Sequence, residues 1–80
     1  MENNPRKRTT VEMGKFLQQK RLDNELSQSQ LAKKLHYDRS TVSKWETGDS
    51  FPSNVNVLKN LAEIYNEPPS KFITQMLAML

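Results

Sequence analysis

The 80-residue sequence contains no cysteine and a single histidine, His36. Without cysteine the chain can form neither a disulfide framework nor a thiolate metal site, and one histidine cannot build a zinc site with plausible partners. We therefore expect no metal and no cofactor, and the sequence offers no evident site for a small-molecule ligand.

The residues of a catalytic centre are also missing. Catalysis needs a nucleophile, a base and a stabilising group that converge in one place. Here the one histidine lies in a predicted turn, and the sequence has no glycine-rich phosphate loop. We expect that the protein is not an enzyme.

Long hydrophobic runs are absent as well. No segment approaches the roughly 20 apolar residues that cross a bilayer, and the first ten residues are polar and basic without an apolar run. We expect a cytoplasmic protein with no membrane association.

Positive charge is concentrated in the first half of the chain. Residues 1–44 hold ten Lys or Arg against five Asp or Glu, whereas residues 45–80 hold two against four, which adds to the totals of 12 and 9. A segregated basic surface attracts polyanions and releases counterions from each phosphate that it neutralises. This distribution favours nucleic acid over an acidic protein as the partner.

Hydrophobic spacing predicts an all-α fold, a compact five-helix bundle with helices at about 9–24, 28–35, 39–47, 55–66 and 69–79. A capping box formed by Ser27 and Gln30 starts the second helix, and Asp38 can cap the third by accepting hydrogen bonds from its free amides. Thr9 is predicted to cap the first helix. The predicted domain spans residues 9–80 and follows a flexible basic arm at residues 1–8.

The second and third helices form a tight helix-turn-helix unit. On the third helix, Val42 and Trp45 share an apolar stripe, which leaves polar side chains on the remaining surface: Arg39, Ser40, Ser43 and Lys44. Such a surface suits the DNA major groove, where guanine offers two acceptors to Arg or Lys and a Ser hydroxyl can pair with several base edges. A merely solvated face is the alternative, but the tight turn and the basic setting favour DNA.

Several short motifs between Met13 and Ile73 follow one recurrent pattern: Met13-Gly14, Leu17 and Arg21; Leu26-Ser27-Gln28 and Leu31-Ala32; Val42-Ser43, Trp45-Glu46 and Gly48; Pro52 and Leu58. Together they resemble the lambdoid-phage repressor and Cro-like helix-turn-helix family, also called the XRE family. Glu25 and His36 stand where that family usually has glycine, so we expect left-handed residues there at a cost on the order of 1 kcal/mol each. Pro68-Pro69 stands where small polar residues are commoner, and Pro69 is expected to start the last helix.

The resemblance implies roles for individual residues. Base-contacting positions are Arg39, Ser40 and Lys44, with Ser43 as a further candidate. Gln28 matches a position that contacts phosphate. Arg21 and Glu46 match positions that form a structural ion pair between the first helix and the end of the third. Asp38 is expected to act as a helix cap, because a carboxylate close to phosphate would repel it.

The basic arm contains Arg6, Lys7 and Arg8, which have two interpretations. These cations can lie along phosphate or enter a minor groove, as basic arms of DNA-binding domains do. Alternatively, they form only a solubilising tail.

The last helix has an apolar face that is wider than a small bundle needs, formed by Phe72, Ile73, Met76, Leu77 and Leu80. Members of the resembling family often form dimers through this region, and twofold symmetry would place two recognition helices about 34 Å apart on successive major grooves. We expect a homodimer interface here. In the alternative, Phe72 and Met76 complete the core and the tail frays.

These observations predict a sequence-specific regulator of transcription that binds double-stranded DNA as a dimer on a palindromic operator. We expect a repressor of the Cro/CI type, because nothing outside the DNA-binding bundle is left to contact polymerase. Its location would be the nucleoid of a bacterial or phage-infected cell. The alternative is an antitoxin-like protein that binds a partner protein and regulates its own operon.

Overall fold

The computed structural model describes the backbone of residues 5–79 and the side chains of residues 10–79, and these residues form five α-helices and no strand. The helices are α1 (Pro5–Asp23), α2 (Gln28–Leu35), α3 (Arg39–Thr47), α4 (Val55–Ile64) and α5 (Pro69–Ala78). The predicted all-α architecture is therefore confirmed. The bounds of α2 and α3 are those that the capping signals indicate.

The starts of α2 and α3 rest on different interactions. At α2, the Gln30 amide donates to the Ser27 hydroxyl at 3.0 Å and the Ser27 amide donates to Gln30 Oε1 at 2.8 Å, which confirms the capping box. At α3, Asp38 occupies the N-cap with an extended backbone, but its side chain makes no capping hydrogen bond. The predicted capping contact of Asp38 is thus wrong, although its position is right. Its charge still lies at the positive end of the helix dipole.

The first helix begins earlier than the sequence signals indicate. It starts at Pro5, so that Thr9 lies inside the helix and is not its cap. A proline favours the first helical turn because its φ is already helical and it has no amide that would need a partner. Residues 1–4, and the side chains of Arg6, Lys7 and Arg8, lie outside the described part of the structure. The predicted roles of these three cations therefore stay predictions.

Three helices end in the same way, with a left-handed residue that is not glycine. Glu25, His36 and Asn66 have φ values of 55°, 63° and 59°. At each end, the amide of the following residue reaches the carbonyl five positions back, as when Tyr37 N donates to Ala32 O at 2.9 Å. This is the Schellman arrangement, which satisfies carbonyls that the helix leaves free. The left-handed conformation predicted for Glu25 and His36 is confirmed.

The hydrophobic core is formed by side chains from all five described helices. Its members are buried apolar side chains: Met13, Leu17, Leu31, Ala32, Leu35, Val42, Trp45, Val57, Leu58, Leu61, Ala62, Tyr65, Phe72 and Met76. The Phe72 ring packs between Phe16 and Tyr65, with ring centroids 6.0 and 5.8 Å away. Because Phe72 and Met76 are 0% and 2% exposed, they belong to the core of their own chain, and the predicted dimer interface must be corrected to exclude them.

Two glycines allow α1 and α3 to approach closely. A Cβ atom at Gly14 would lie only 2.6 Å from the carbonyl oxygen of Trp45, and one at Gly48 would lie 2.8 Å from the Cα of Val11. Gly48 also has a φ of 90° and donates its amide to Lys44 O at the end of α3. These contacts are with backbone, which cannot rotate aside as a side chain can. The distance between α1 and α3 is therefore fixed at both ends of the contact.

We expect Gly14→Ala to destabilise the protein. Overpacking of a well-packed contact costs about 1–3 kcal/mol, which exceeds the roughly 1 kcal/mol that alanine gains over glycine in a helix. Urea denaturation followed by circular dichroism should show a lower midpoint for this variant. Lys15→Ala, at the exposed neighbouring position, is the matched control and should leave the midpoint nearly unchanged. A Gly14→Ala midpoint equal to or above that of the wild type would contradict the close approach.

Candidate nucleic-acid interface

The turn between α2 and α3 consists of three residues whose backbone is fixed. His36 in its left-handed conformation ends α2, and Asp38 starts α3. Between them, the ring of Tyr37 meets Trp45 edge to face with centroids 5.7 Å apart. Such an arrangement is favourable for two aromatic rings. The turn is therefore held to α3 by an aromatic contact as well as by backbone hydrogen bonds.

The α3 helix has a buried side and an exposed side. Val42, Trp45 and Glu46 are buried against the bundle. Three of the four predicted base-contacting residues, Arg39, Ser40 and Lys44, are exposed, whereas Ser43 is half-buried. At about 100° per residue these four positions cover an arc of about 140° on one side of the helix. The structure thus brings the predicted residues together on one surface.

Thr47 lies on the same arc and was not predicted. It is exposed at the last position of α3, where its hydroxyl lies 3.2 Å from both the Lys44 carbonyl and the Asp49 carboxylate. Helical spacing from Arg39 and Ser43 could have identified it, since the three residues follow one another at intervals of four. Thr47 is a further polar group at the far end of the candidate interface.

A buried ion pair anchors the C-terminal end of α3. Arg21 Nε lies 2.7 Å from Glu46 Oε2, and Arg21 Nη2 donates to Glu46 Oε1 at 3.0 Å. The remaining guanidinium nitrogen, Nη1, donates to the Leu26 carbonyl at 2.7 Å. The structure therefore contains the ion pair that the family resemblance implies, with two-pronged geometry. One side chain of α1 holds both the end of α3 and the loop before α2.

The pKa values of Arg21 and of the neighbouring Tyr65 are raised for different physical reasons. The hydrogen bond from Arg21 to Glu46 raises the pKa of the guanidinium above its ordinary value, so Arg21 stays charged. Burial raises the pKa of the nearby Tyr65 phenol, and the negative charge of Glu46 raises it further. Tyr65 consequently stays neutral, and the ion pair carries no net charge into the core.

Gln28, the predicted phosphate contact, forms hydrogen bonds within the protein through both the nitrogen and the oxygen of its side-chain amide. Its Nε2 donates to Glu46 Oε1 at 3.0 Å, and its Oε1 accepts from Arg39 Nη1 at 3.3 Å. The residue lies at the first position of α2, where free backbone amides also favour an anion. Its contact with phosphate stays a prediction.

Part of the predicted dimer interface is exposed on the outer face of α5. Leu77 is 59% exposed and Ile73 is half-buried. Leu80 lies outside the described side chains. Among the residues that could have formed a continuous apolar face, only Ile73 and Leu77 are therefore described as accessible to a partner.

In the part of the chain that the structure describes, no His, Cys, Asp and Glu side chains group together in a way that could hold a metal ion. None of the described helices combines the length and the apolar character that crossing a membrane requires.

Breaking the buried ion pair from one side should destabilise the protein. Arg21→Met leaves the Glu46 carboxylate buried without its partner, which costs about 3–5 kcal/mol in comparable pairs. In the double variant Arg21→Met/Glu46→Leu the unpaired charge is gone, and we expect most of the lost stability to return. The free energy of unfolding of the wild type, the single variant and the double variant can be compared in urea. A double variant no more stable than the single one would contradict this explanation.

Comparison with known proteins agrees with this geometry. Residues 17–72 match a helix-turn-helix family model, HTH_3. The chain is also similar to the HTH-type transcriptional activator BcrR of Enterococcus faecalis, with 38% identity over 56 residues that cover 70% of this chain and 27% of that protein. The chain thus matches only about a quarter of the length of this relative. The two-sided arrangement of α3 agrees with this match. The chain belongs to the XRE-type helix-turn-helix family of DNA-binding transcription regulators.

Proposed function

We propose that the protein regulates transcription by sequence-specific binding of double-stranded DNA through the exposed side of α3. The observation that carries this proposal is the division of α3 into two sides. Val42 and Trp45 hold the helix against the core, while Arg39, Ser40 and Lys44 are directed to solvent. A helix anchored in this way can enter a major groove without a change in the bundle.

The exposed side chains supply the donors that base recognition needs. Arg39 and Lys44 can donate to the O6 and N7 acceptors of guanine, and the Ser40 hydroxyl can donate to or accept from several base edges. Ser43 contributes less surface because it is half-buried. We assign Arg39 and Lys44 the main part in discriminating between base pairs. No catalytic activity is part of this proposal.

Phosphate attraction would come from the basic half of the chain. Ten of the 12 Lys and Arg residues lie within residues 1–44, a range that contains all of α2 and most of α3. Arg6, Lys7 and Arg8 belong to this half and are proposed to contact phosphate. Each phosphate that is neutralised releases counterions, so affinity should fall steeply as salt is added. This dependence accompanies base recognition and does not replace it.

A dimer through the outer face of α5 would let the protein bind a palindromic operator. Leu77 and Ile73 are the described apolar side chains of α5 that a second copy could cover, and Leu80 would extend the same face. Twofold symmetry around α5 would present two copies of α3 to successive major grooves. The proposed interface is smaller than the sequence suggests, because Phe72 and Met76 do not contribute.

For the direction of regulation we propose repression, because a dimer bound over a promoter blocks polymerase by occupying its site. The relative BcrR is described as an activator, but the match covers only 27% of its length. The name of that protein therefore does not decide the sign for this chain. Activation would need a surface that contacts polymerase, in addition to the residues proposed to bind DNA and to form the dimer.

Arg39→Ala should relax the preference for one base pair. Loss of a two-pronged contact with guanine costs about 1–3 kcal/mol of discrimination. Selection of binding sites from random duplexes by the wild type and by the variant would reveal the affected position, the spacing of half-sites and their symmetry. Lys59→Ala, which removes an exposed cation from α4, is the control and should leave the selected sequence unchanged. Uniform weakening of Arg39→Ala on every duplex would instead make Arg39 a phosphate contact.

Leu77→Lys should weaken self-association and leave the fold intact. A lysine at this exposed position is solvated in the monomer, whereas in a dimer its charge would be buried without a partner. Sedimentation velocity over micromolar concentrations, with and without operator DNA, measures the effect. Leu22→Lys is the matched control, since Leu22 is 52% exposed but lies on α1. A wild type that stays monomeric at high micromolar concentration and on DNA would remove the dimer from the proposal.

A further inference from the structure

An open groove of about 350 Å³ lies on the outer face of α2. It is lined by Leu26, Gln30, Lys33 and Lys34. The three α2 residues are exposed, whereas Leu26, in the loop before the helix, is half-buried and packs against the core. The Leu26 amide donates to the Arg21 carbonyl at 3.2 Å, and the Leu26 carbonyl accepts from Arg21 Nη1 at 2.7 Å. The apolar wall of the groove is therefore held in place by the backbone on both sides of its side chain.

This groove lies on the side of α2 that faces away from α3. Gln28 marks the side that faces α3, because its side-chain amide is hydrogen-bonded to Glu46 and Arg39. At about 100° per residue, the three α2 residues that line the groove lie about 140–240° around the helix axis from Gln28. DNA bound to the exposed side of α3 would therefore leave the groove accessible.

The polar side chains of the groove present hydrogen-bond donors only. In the capping box, Gln30 Oε1 accepts from the Ser27 amide at 2.8 Å, which leaves the Nε2 group of Gln30 to donate. Lys33 and Lys34 carry ammonium groups, which cannot accept. No carboxylate among the described residues lies within ion-pair distance of either lysine. The groove thus combines two unpaired positive charges and an amide donor with an apolar wall.

From this arrangement we propose that the groove is a docking surface for an acidic segment of a partner protein, in which an apolar side chain stands beside two or more carboxylates. The apolar side chain would cover Leu26 and the aliphatic stems of the lysines, which can be buried while the ammonium groups stay at the surface. The carboxylates would accept charge-assisted hydrogen bonds from Lys33, Lys34 and Gln30. A DNA backbone offers phosphates to the lysines but no comparable apolar side chain to Leu26, which favours a protein segment. This surface goes beyond the DNA-binding function proposed above and does not depend on it.

A titration of the full chain followed by ¹⁵N NMR tests the proposal. The probe is the blocked peptide acetyl-Asp-Leu-Glu-Glu-Leu-Asp-amide, added up to millimolar concentrations at a salt concentration of about 0.15 M. In one control peptide Asn and Gln replace the acids, and in a second one Ser replaces both leucines. Lys33→Gln/Lys34→Gln removes both charges of the groove. Lys15→Gln/Lys59→Gln removes two exposed lysines of α1 and α4 and is the matched control for net charge.

We expect the acidic peptide to shift the amide signals of residues 26–34 in the wild type. Binding should weaken about tenfold in Lys33→Gln/Lys34→Gln, the effect of two exposed ion pairs near the upper end of their usual range, and should stay nearly unchanged in Lys15→Gln/Lys59→Gln. Both control peptides should bind more weakly than the probe. Absence of binding at millimolar peptide, equal weakening in the two double variants, or equal binding of the serine peptide would overturn the proposal.

The same variants on DNA separate this proposal from a phosphate contact. At a salt concentration of about 0.15 M, charges that do not touch phosphate are largely screened. Lys33→Gln/Lys34→Gln and Lys15→Gln/Lys59→Gln should therefore bind the selected duplex with similar affinity and similar salt dependence. A loss of affinity and a flatter salt dependence in Lys33→Gln/Lys34→Gln alone would make the groove a DNA contact and overturn the docking role. If Arg39→Ala changes no base preference, the proposed function of α3 fails, whereas the peptide result for the groove still stands.

Discussion

The buried ion pair between Arg21 and Glu46 determines how α3 is oriented in the molecule. Its guanidinium also binds the Leu26 carbonyl, so that one side chain joins α1, the loop before α2 and the end of α3. A buried charge without a partner is costly, and any rotation of α3 about its axis would separate these atoms. The contacts of Val42 and Trp45 with the core also oppose this rotation. The side of α3 that carries Arg39 and Lys44 therefore has to face solvent.

Most of the local structure could be predicted from the sequence because its causes are local. The capping box of Ser27 and Gln30, the proline at the start of α5 and the apolar spacing within each helix all act over a few residues. The two errors at helix starts have the same kind of origin. A threonine and an aspartate both occur in patterns that can cap, but α1 begins earlier, at Pro5, and the Asp38 side chain accepts no hydrogen bond from the free amides of α3.

The surroundings of a side chain that depend on other helices could not be predicted from spacing within one helix. Helical spacing placed Phe72, Met76 and Leu77 on one apolar face of α5, but spacing cannot divide that face between the core and a partner. The division depends on the Phe16 and Tyr65 rings that enclose Phe72, and these come from α1 and the end of α4. The contacts of Gln28 are similar, since both of its partners lie on α3. The family resemblance implies a phosphate contact for Gln28, whereas the contacts that the structure shows are with Glu46 and Arg39.

Substitutions on the buried side of α3 and substitutions on its exposed side are expected to affect the protein differently. A substitution at Val42 or Gly14 alters packing and costs stability, whereas exposed positions such as Ser40 and Lys44 contribute little to it. Under the proposed function, base preference can thus change without loss of the fold, so membership of the family does not specify an operator. Gln28 lies at the boundary between these two sets, with one end on the buried pair and the other on Arg39. A change of Arg39 to a residue without a donor would leave the exposed Gln28 carbonyl to water, whereas the contact of the Gln28 amide with the buried Glu46 would remain, so the two sets of positions can change separately.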